Sequence, residues 1–489
     1  MLVQALSYRE APAGSVLHVR LTNAVGTYAS RPGAVVDAVV IAPLKIDGET
    51  VVPAGTILHG KVKSVRRIGL GILHEAASLD LSFDSITLPS GASLAMRTKV
   101  ASVDNGREEV MPSGEIREGR STASWGNHAA HLLRDAMLVD VHAQLAAWAV
   151  KSVVMEVPEP EIYLPSGAEL TLVLSAPVRT LFVPKSDDDS HGFTEQERAS
   201  LEPVIAEVPE RAFTPRTKKG DSGRPADLVN VLLIGSREQI AAAFTAAGWT
   251  LAQPSSRRSD LASAFAATFD RADRSAPMSS LRINNVAPDM AWEKGFNDVS
   301  KRHHIRLWKM AETWDGETLW AAAATRDVEM GFLRPGHMVT HRVEEQVDHE
   351  RDKIAWDLAY ASCADAMDWW DRPAVPHLTH NATGDRMQTD GQIVVLKVND
   401  CSHPRGVATG HDRLPMHGGR FQRILRREIL SARSDLIRDN IYWKAYEGVR
   451  VLVAAIESHR QTPEPDAAPR RTFASRLQPG ALTSFVSFR

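Results

Sequence analysis

A chain of 489 residues is too long for one hydrophobic core, which points to about two to four domains. With 24% charged and 43% apolar residues, the composition is that of a water-facing globular protein, neither disordered nor membrane-spanning. A formal net charge of −3 leaves no global field for nucleic acid or an anionic membrane surface, so no nucleic acid is expected as a partner.

The first twelve residues lack the basic start and apolar stretch of a secretory signal. No run approaches the roughly 18 apolar residues needed to cross a bilayer, so no transmembrane segment is expected. Read as it stands, the chain stays in the cytoplasm. Cys363 and Cys401 are too few for a disulfide framework and lack C-x-x-C spacing, although they can form one bridge in an oxidising compartment.

A short turn motif recurs through the first half: Pro12-Ala13-Gly14, Pro53-Ala54-Gly55, Pro89-Ser90-Gly91 and Pro165-Ser166-Gly167, each with a leucine three residues beyond the glycine. Proline presets φ and glycine accepts positive φ, which predicts a type I turn with a bulge-forming glycine at each strand entrance. Between the copies, residues 35–41, 61–65 and 79–83 read as short alternating or β-branched strands. Such spacing argues for a sandwich or barrel. A helical insertion is expected near 127–150, where apolar residues recur at helical spacing.

Residues 185–226 open on Lys185-Ser186-Asp187-Asp188-Asp189 and close on a Lys/Gly/Pro-rich run, the composition of a linker. Beyond it, 228–234 reads as a buried strand, and Ser236-x-x-Gln239 forms a capping box for a helix that stops at Gly248. Further strands are expected at 304–310, 319–328 and 392–398, with a helix over 348–361 and another over 423–459. The fold class is therefore multidomain: an all-β N-terminal sandwich or barrel over 1–184 with its helical insertion, the linker, and an α+β domain over 227–400. A helical extension with a loose tail over 401–489 completes the chain.

Ten of the 18 histidines fall between His303 and His417, which directs any site to the second domain. In a strand, period two puts His304, Arg306 and Trp308 on one face and His303, Ile305 and Leu307 on the other. As a pocket floor, that face offers His304 as proton carrier, Arg306 as anion clamp and Trp308 as an apolar wall. As a structural strand, its His and Arg pair with carboxylates from 325–327 or 350–352. His337 and His341 share a face at i, i+4 spacing, but a zinc site needs a third ligand from Asp327, His349 or Glu350, and no glutamate follows the first histidine. His377 and His380 sit in a loop-like stretch. No metal and no cofactor are expected. Walker, nucleophile-elbow and dinucleotide-binding signatures are absent, and Gly69-Leu70-Gly71 reads as a strand bulge.

The second domain resembles the LssY C-terminal domain family over about 227–399. The resemblance is carried by Arg302-His303-His304-Ile305-Arg306-Leu307-Trp308, Ala324-Thr325-Arg326-Asp327, Val339-Thr340-His341-Arg342-Val343 and Asp348-His349-Glu350-Arg351-Asp352. It implies an envelope or lipid-related setting, because members are fused to DedA-type and phosphatidic-acid-phosphatase-type membrane segments, and it brings no catalytic mechanism. The first half is similar to TrbI-type conjugation and envelope β-domains through Pro53 to Val62 and 79–91, which implies a periplasmic location.

Two functions follow as expectations. The first is a non-enzymatic, envelope-associated binding or assembly module that takes an envelope protein or an anionic small molecule or lipid headgroup, with His303, Trp308, Arg342 and Arg351 as binding residues. The second is a hydrolase of phosphate esters with His304, Arg306, His341 and Asp327 around one cleft.

Overall fold

The computed structural model describes residues 8–68, 76–104, 108–117, 161–181, 192–215, 223–252, 281–295, 302–331 and 340–405, together with Phe421, Gln422, Leu425 and Ile429, which are helical. The chain divides into the units Met1–Ala432 and Arg433–Arg489, and the described residues belong to the first. The insertion expected at 127–150, the bulge expected at 69–71 and most of the helix expected over 423–459 lie outside the described residues.

The N-terminal domain is a nine-stranded antiparallel sheet in the order Thr98–Val103, Glu169–Leu174, Val16–Leu21, Val35–Val40, Ile57–Arg66, Ser78–Thr87, Ile116–Arg117 and Glu109–Val110, with Ser93–Ala95 paired to Ser78–Thr87. Alternation decides which face is buried. Val36, Ala38 and Val40 point inward with Leu17, Leu58, Leu79 and Phe83, whereas His59, Lys61 and Lys63 point to solvent. The sheet curls nearly into a barrel, so that Thr98 Oγ1 donates to the Phe83 carbonyl at 3.4 Å. The curl comes from two bulges in the longest hairpin, one at His59/Gly60. A Cβ at Gly60 would lie 2.4 Å from the Ser82 carbonyl and 2.7 Å from the Phe83 ring, so only glycine lets the strands cross there.

The proline-glycine turns are present, and they come in two forms. Gly14, Gly55, Gly91 and Gly167 all have φ between +83° and +93°, and each precedes a strand. At Gly91 the amide closes back on Leu88, the type I turn with a bulging glycine that proline spacing predicts. At the other three, the glycine amide instead donates to a neighbouring strand, at Leu174, Val40 or Leu21, and the following residue closes the turn on the proline carbonyl. The cross-strand carbonyl takes the glycine N–H, which shifts the closure by one residue. A fifth turn of the Gly91 form, Pro112-Ser113-Gly114, lacks the downstream leucine that marks the others.

The second domain is a mixed sheet in the order Thr250–Leu251, Met290–Lys294, Arg302–Trp314, Glu317–Gly331, Val231–Ile234, Gln392–Val398 and Ala364–Asp371. Thr340–Val343 is a further strand paired to Glu317–Gly331. All neighbours are antiparallel except Val231–Ile234 with Gln392–Val398. The single strand expected over 228–234 is two, Pro225–Leu228 and Val231–Ile234. Asn230 fills the break, exchanging bonds with Ala324 through its side-chain amide.

Helices cover both faces. Residues 185–226, whose composition reads as a linker, contain helix α1, Glu195–Ala206, and the strand Arg211–Phe213. Leu201 and Ile205 of α1 are buried with Trp308, Trp314 and Trp370, and the Phe193 ring meets Trp370 edge-on at 5.3 Å. On the opposite face lie α2, Arg237–Ala246, and α3, Val347–Tyr360. A ten-residue helix is marginal in isolation. Packing holds α2 in place through Ile240, Ala243 and Phe244, whose ring stacks on Trp292 at 5.4 Å. After α3 the chain turns through Ser362 at positive φ, and a disulfide joins Cys363 to Cys401 with 4.7 Å between their Cα atoms.

Candidate functional site

The strand Arg302–Trp314 runs between Met290–Lys294 and Glu317–Gly331, and its register sets Glu293, His304 and Thr325 side by side, as it does Lys294, His303 and Arg326. Alternation then separates two polar clusters on opposite faces of one sheet.

The first cluster holds three neighbouring pairs: Arg302 with Glu293 at 3.2 Å, His304 Nε2 with Asp327 at 2.9 Å, and Arg306 with Asp227 at 3.1 Å. Thr325 Oγ1 lies 3.0 Å from the other ring nitrogen of His304. A carboxylate that orients an imidazole beside a hydroxyl is the arrangement that proton transfer needs. Here all its members are buried, Thr325 to 1% exposure. Trp308 belongs to the core beside α1, where its indole N–H donates to the Val286 carbonyl at 3.0 Å.

The second cluster lies where the two domains meet. His303 is held between Glu350 of α3, at 2.5 Å from Nδ1, and Asp104 of the β-domain, at 2.7 Å from Nε2. Arg326 reaches the other oxygen of Asp104 at 2.8 Å. Next to it, Glu169 of the β-domain accepts from Arg20 and Lys294, each at 2.8 Å, and from Lys353. Asp357 of α3 accepts from Lys294 at 2.8 Å and Arg20 at 3.1 Å, and also from the Trp249 indole at 3.0 Å. Arg20 and Asp357 are at most 2% exposed.

For Asp104, Glu169, His303 and Lys294 burial opposes charge, and whether the neighbours override it differs from one to the next. For Asp104, burial is overridden by His303, Arg326 and Lys353, which hold its carboxyl well below the ordinary range. Glu169 is depressed likewise by Lys294, Lys353 and Arg20. Burial pulls His303 down, but Asp104 and Glu350 raise it above the usual histidine value. For Lys294 burial prevails over Asp357 and Glu169, and its ammonium is lowered.

Of the residues predicted from sequence, His304 and Asp327 meet, and Arg306 lies on their face, held by Asp227. His303 is on the far side of the sheet. Arg351 is 2% exposed and fixes α3 to the turn before the last strand, with its guanidinium on Asp390 at 2.6 and 3.0 Å and on Asp348 at 3.3 Å. Arg342 is exposed at the end of Thr340–Val343. His341 is paired by its backbone with Met330, and its side chain lies outside the described set, as does the whole of His337. Sequence reading missed Arg20, Asp104, Glu169, Lys294, Lys353 and Asp357. Arg20 and Glu169 occupy outward positions of their strands, where a charged residue normally meets water. Nothing local distinguishes them from solvent-facing ones.

Among solved structures, the chain is similar to ComB10 of the Com type IV secretion system of Helicobacter pylori, at 10% identity and a TM-score of 0.20, covering 37% of this chain and 94% of that one. Curated proteins give no match. Residues 208–393, the span that contains both faces of the strand Arg302–Trp314, match the model of the family described as LssY C-terminus.

Proposed function

We propose that the protein is an envelope-associated binding or assembly module without catalytic activity, its β-domain and α+β domain working as one piece. The observation that carries this reading is the state of the strand from Arg302 to Trp308. Each of its ionisable side chains is buried and committed to a carboxylate, and one of them, His303, bridges the two domains through Asp104 of the β-domain. The Cys363–Cys401 bridge suits an oxidising compartment such as the periplasm. Arg306 and Arg351 are engaged by Asp227 and Asp390, so recognition of an anionic headgroup or an acidic partner is proposed for a surface that does not depend on either of them.

The competing reading, a phosphate-ester hydrolase, draws on the His304–Asp327 pair with Thr325 beside it. One assay separates them. Purified full-length protein and its His304→Ala variant are incubated with p-nitrophenyl phosphate in the presence of Mg²⁺, Mn²⁺ or Zn²⁺. The binding reading expects no release above the blank from either protein. Release by the wild type that His304→Ala abolishes, with the circular dichroism spectrum unchanged, would overturn it in favour of the hydrolase.

A further inference from the structure

The junction between the two domains is built from ionisable groups, and His303 is the member best placed to respond to pH. Both of its ring nitrogens face carboxylates, one from each domain: Asp104 at 2.7 Å and Glu350 at 2.5 Å. An imidazolium satisfies both because each nitrogen then carries a proton, whereas a neutral ring has one N–H and turns a lone pair toward the other carboxylate. The surrounding charges fit the imidazolium. Arg20, Lys294, Lys353 and Arg326 are the other cations, while Asp104, Glu169, Glu350, Asp357 and Glu344 are the anions. A charged His303 satisfies both of its carboxylates, and a neutral one leaves one of them without a donor in a site where its desolvation is not repaid.

We propose that His303 makes the junction a proton-operated latch, docked while its imidazolium bridges Asp104 and Glu350 and loosened when that proton leaves.

His303 is faced by Asp104 from the β-domain, Glu350, Lys353 and Asp357 from α3, Lys294 and Arg326 from the neighbouring strands, Glu344 before α3 with His349 of α3 bonded to it, and the Trp249 ring at 6.2 Å. Asp104 raises His303 only while the domains are docked, so the contribution of His303 is present at low pH and is lost as pH rises through the docked value. His18, on the docking face of the β-domain, acts in the opposite sense. Desolvation and Lys353 lower it, so its contribution is present above about 6.5 and lost as pH falls. The alkaline limb therefore reports on His303, with His349, raised by its hydrogen bond to Glu344, as the competitor, because Lys294 is lowered by burial and favours docking as pH rises. Between the open and docked values of His303 the open fraction grows about tenfold per pH unit.

Both native cysteines are in the disulfide, so introduced cysteines take labels cleanly. Spin labels at Lys61→Cys and Glu238→Cys, on exposed positions of the two domains, give one narrow distance distribution at pH 6.5 by double electron–electron resonance. A broader population is expected to grow toward pH 10, and in Asp104→Asn its onset moves to lower pH. A distribution unchanged to pH 10 would overturn the latch, as would a wild-type response retained in His303→Gln, which assigns the titration to His349. Histidine ¹⁵N spectra of the wild type need no substitution: two protonated ring nitrogens on His303 at pH 7.5 are expected, and a neutral ring sinks the proposal.

Discussion

Glu169 gathers Arg20, Lys294 and Lys353 around one carboxylate at 4% side-chain exposure, so its replacement affects three cations at once. Glu169→Gln keeps the shape and removes the charge that balances them. Breaking such a buried set costs roughly 3–5 kcal/mol, and urea denaturation is expected to show a loss of that size with the slope unchanged. The same residue shows why the junction was invisible in the sequence. In Glu169–Leu174 the alternation reads as polar out and apolar in, and that reading gives the correct faces. The outward face, however, is covered by a second domain more than a hundred residues further along the chain, and no local pattern encodes that. His303 and His304 were legible as a polar pair on opposite faces. Their carboxylate partners Glu350 and Asp327 were also within the segments expected to meet them, whereas Asp104 was not.

Capping and turn chemistry carried the most local information. The Ser236 capping box and the stop at Gly248, with φ +84°, stand where the residue types put them. Thr194-x-x-Glu197 is the same signature at the start of α1, with the Thr194 hydroxyl accepting from the Glu197 amide at 3.3 Å and the Glu197 carboxylate accepting from the Thr194 amide at 2.8 Å. It was obscured by the polar, proline-containing composition of 185–226, which describes a solvent-facing helix surface as well as it describes a linker. Thr194→Ala is expected to lower stability by about 1 kcal/mol, read as a fall in thermal midpoint. Thr194→Ser should restore most of it. Strand lengths were less legible: the hairpin Arg302–Trp314 and Glu317–Gly331 extends past its apolar segment because the two strands continue to pair with each other where the sheet ends. The glycines of the proline turns were read correctly as positive-φ positions, but which amide closes each turn depends on a neighbouring strand.

The disulfide acts on the molecule as a whole, because it ties the end of α3 to the segment that leaves the second domain. Arg405 in that segment lies 5.0 Å over the Tyr360 ring, which Arg20 of the β-domain approaches at 5.5 Å. Closing a loop of sequence separation 38 is worth about 4 kcal/mol on chain entropy. Thermal unfolding of the full chain with and without a dithiol reductant should therefore differ by several degrees, and Cys363→Ala with Cys401→Ala should match the reduced wild type. No difference would mean that the bridge constrains little. Another consequence follows from strand order. Gln392–Val398 is the last strand of its sheet in sequence, yet it lies between Val231–Ile234 and Ala364–Asp371, and in the β-domain Glu169–Leu174 comes late and lies between Thr98–Val103 and Val16–Leu21. Each sheet therefore remains in two pieces until its closing strand has been synthesised and threaded between them. A nascent chain that stops short of Val398 leaves Val231–Ile234 and Ala364–Asp371 each with an unsatisfied edge, so the second domain completes well after the β-domain can close, and whatever handles the growing chain must shield those edges until then.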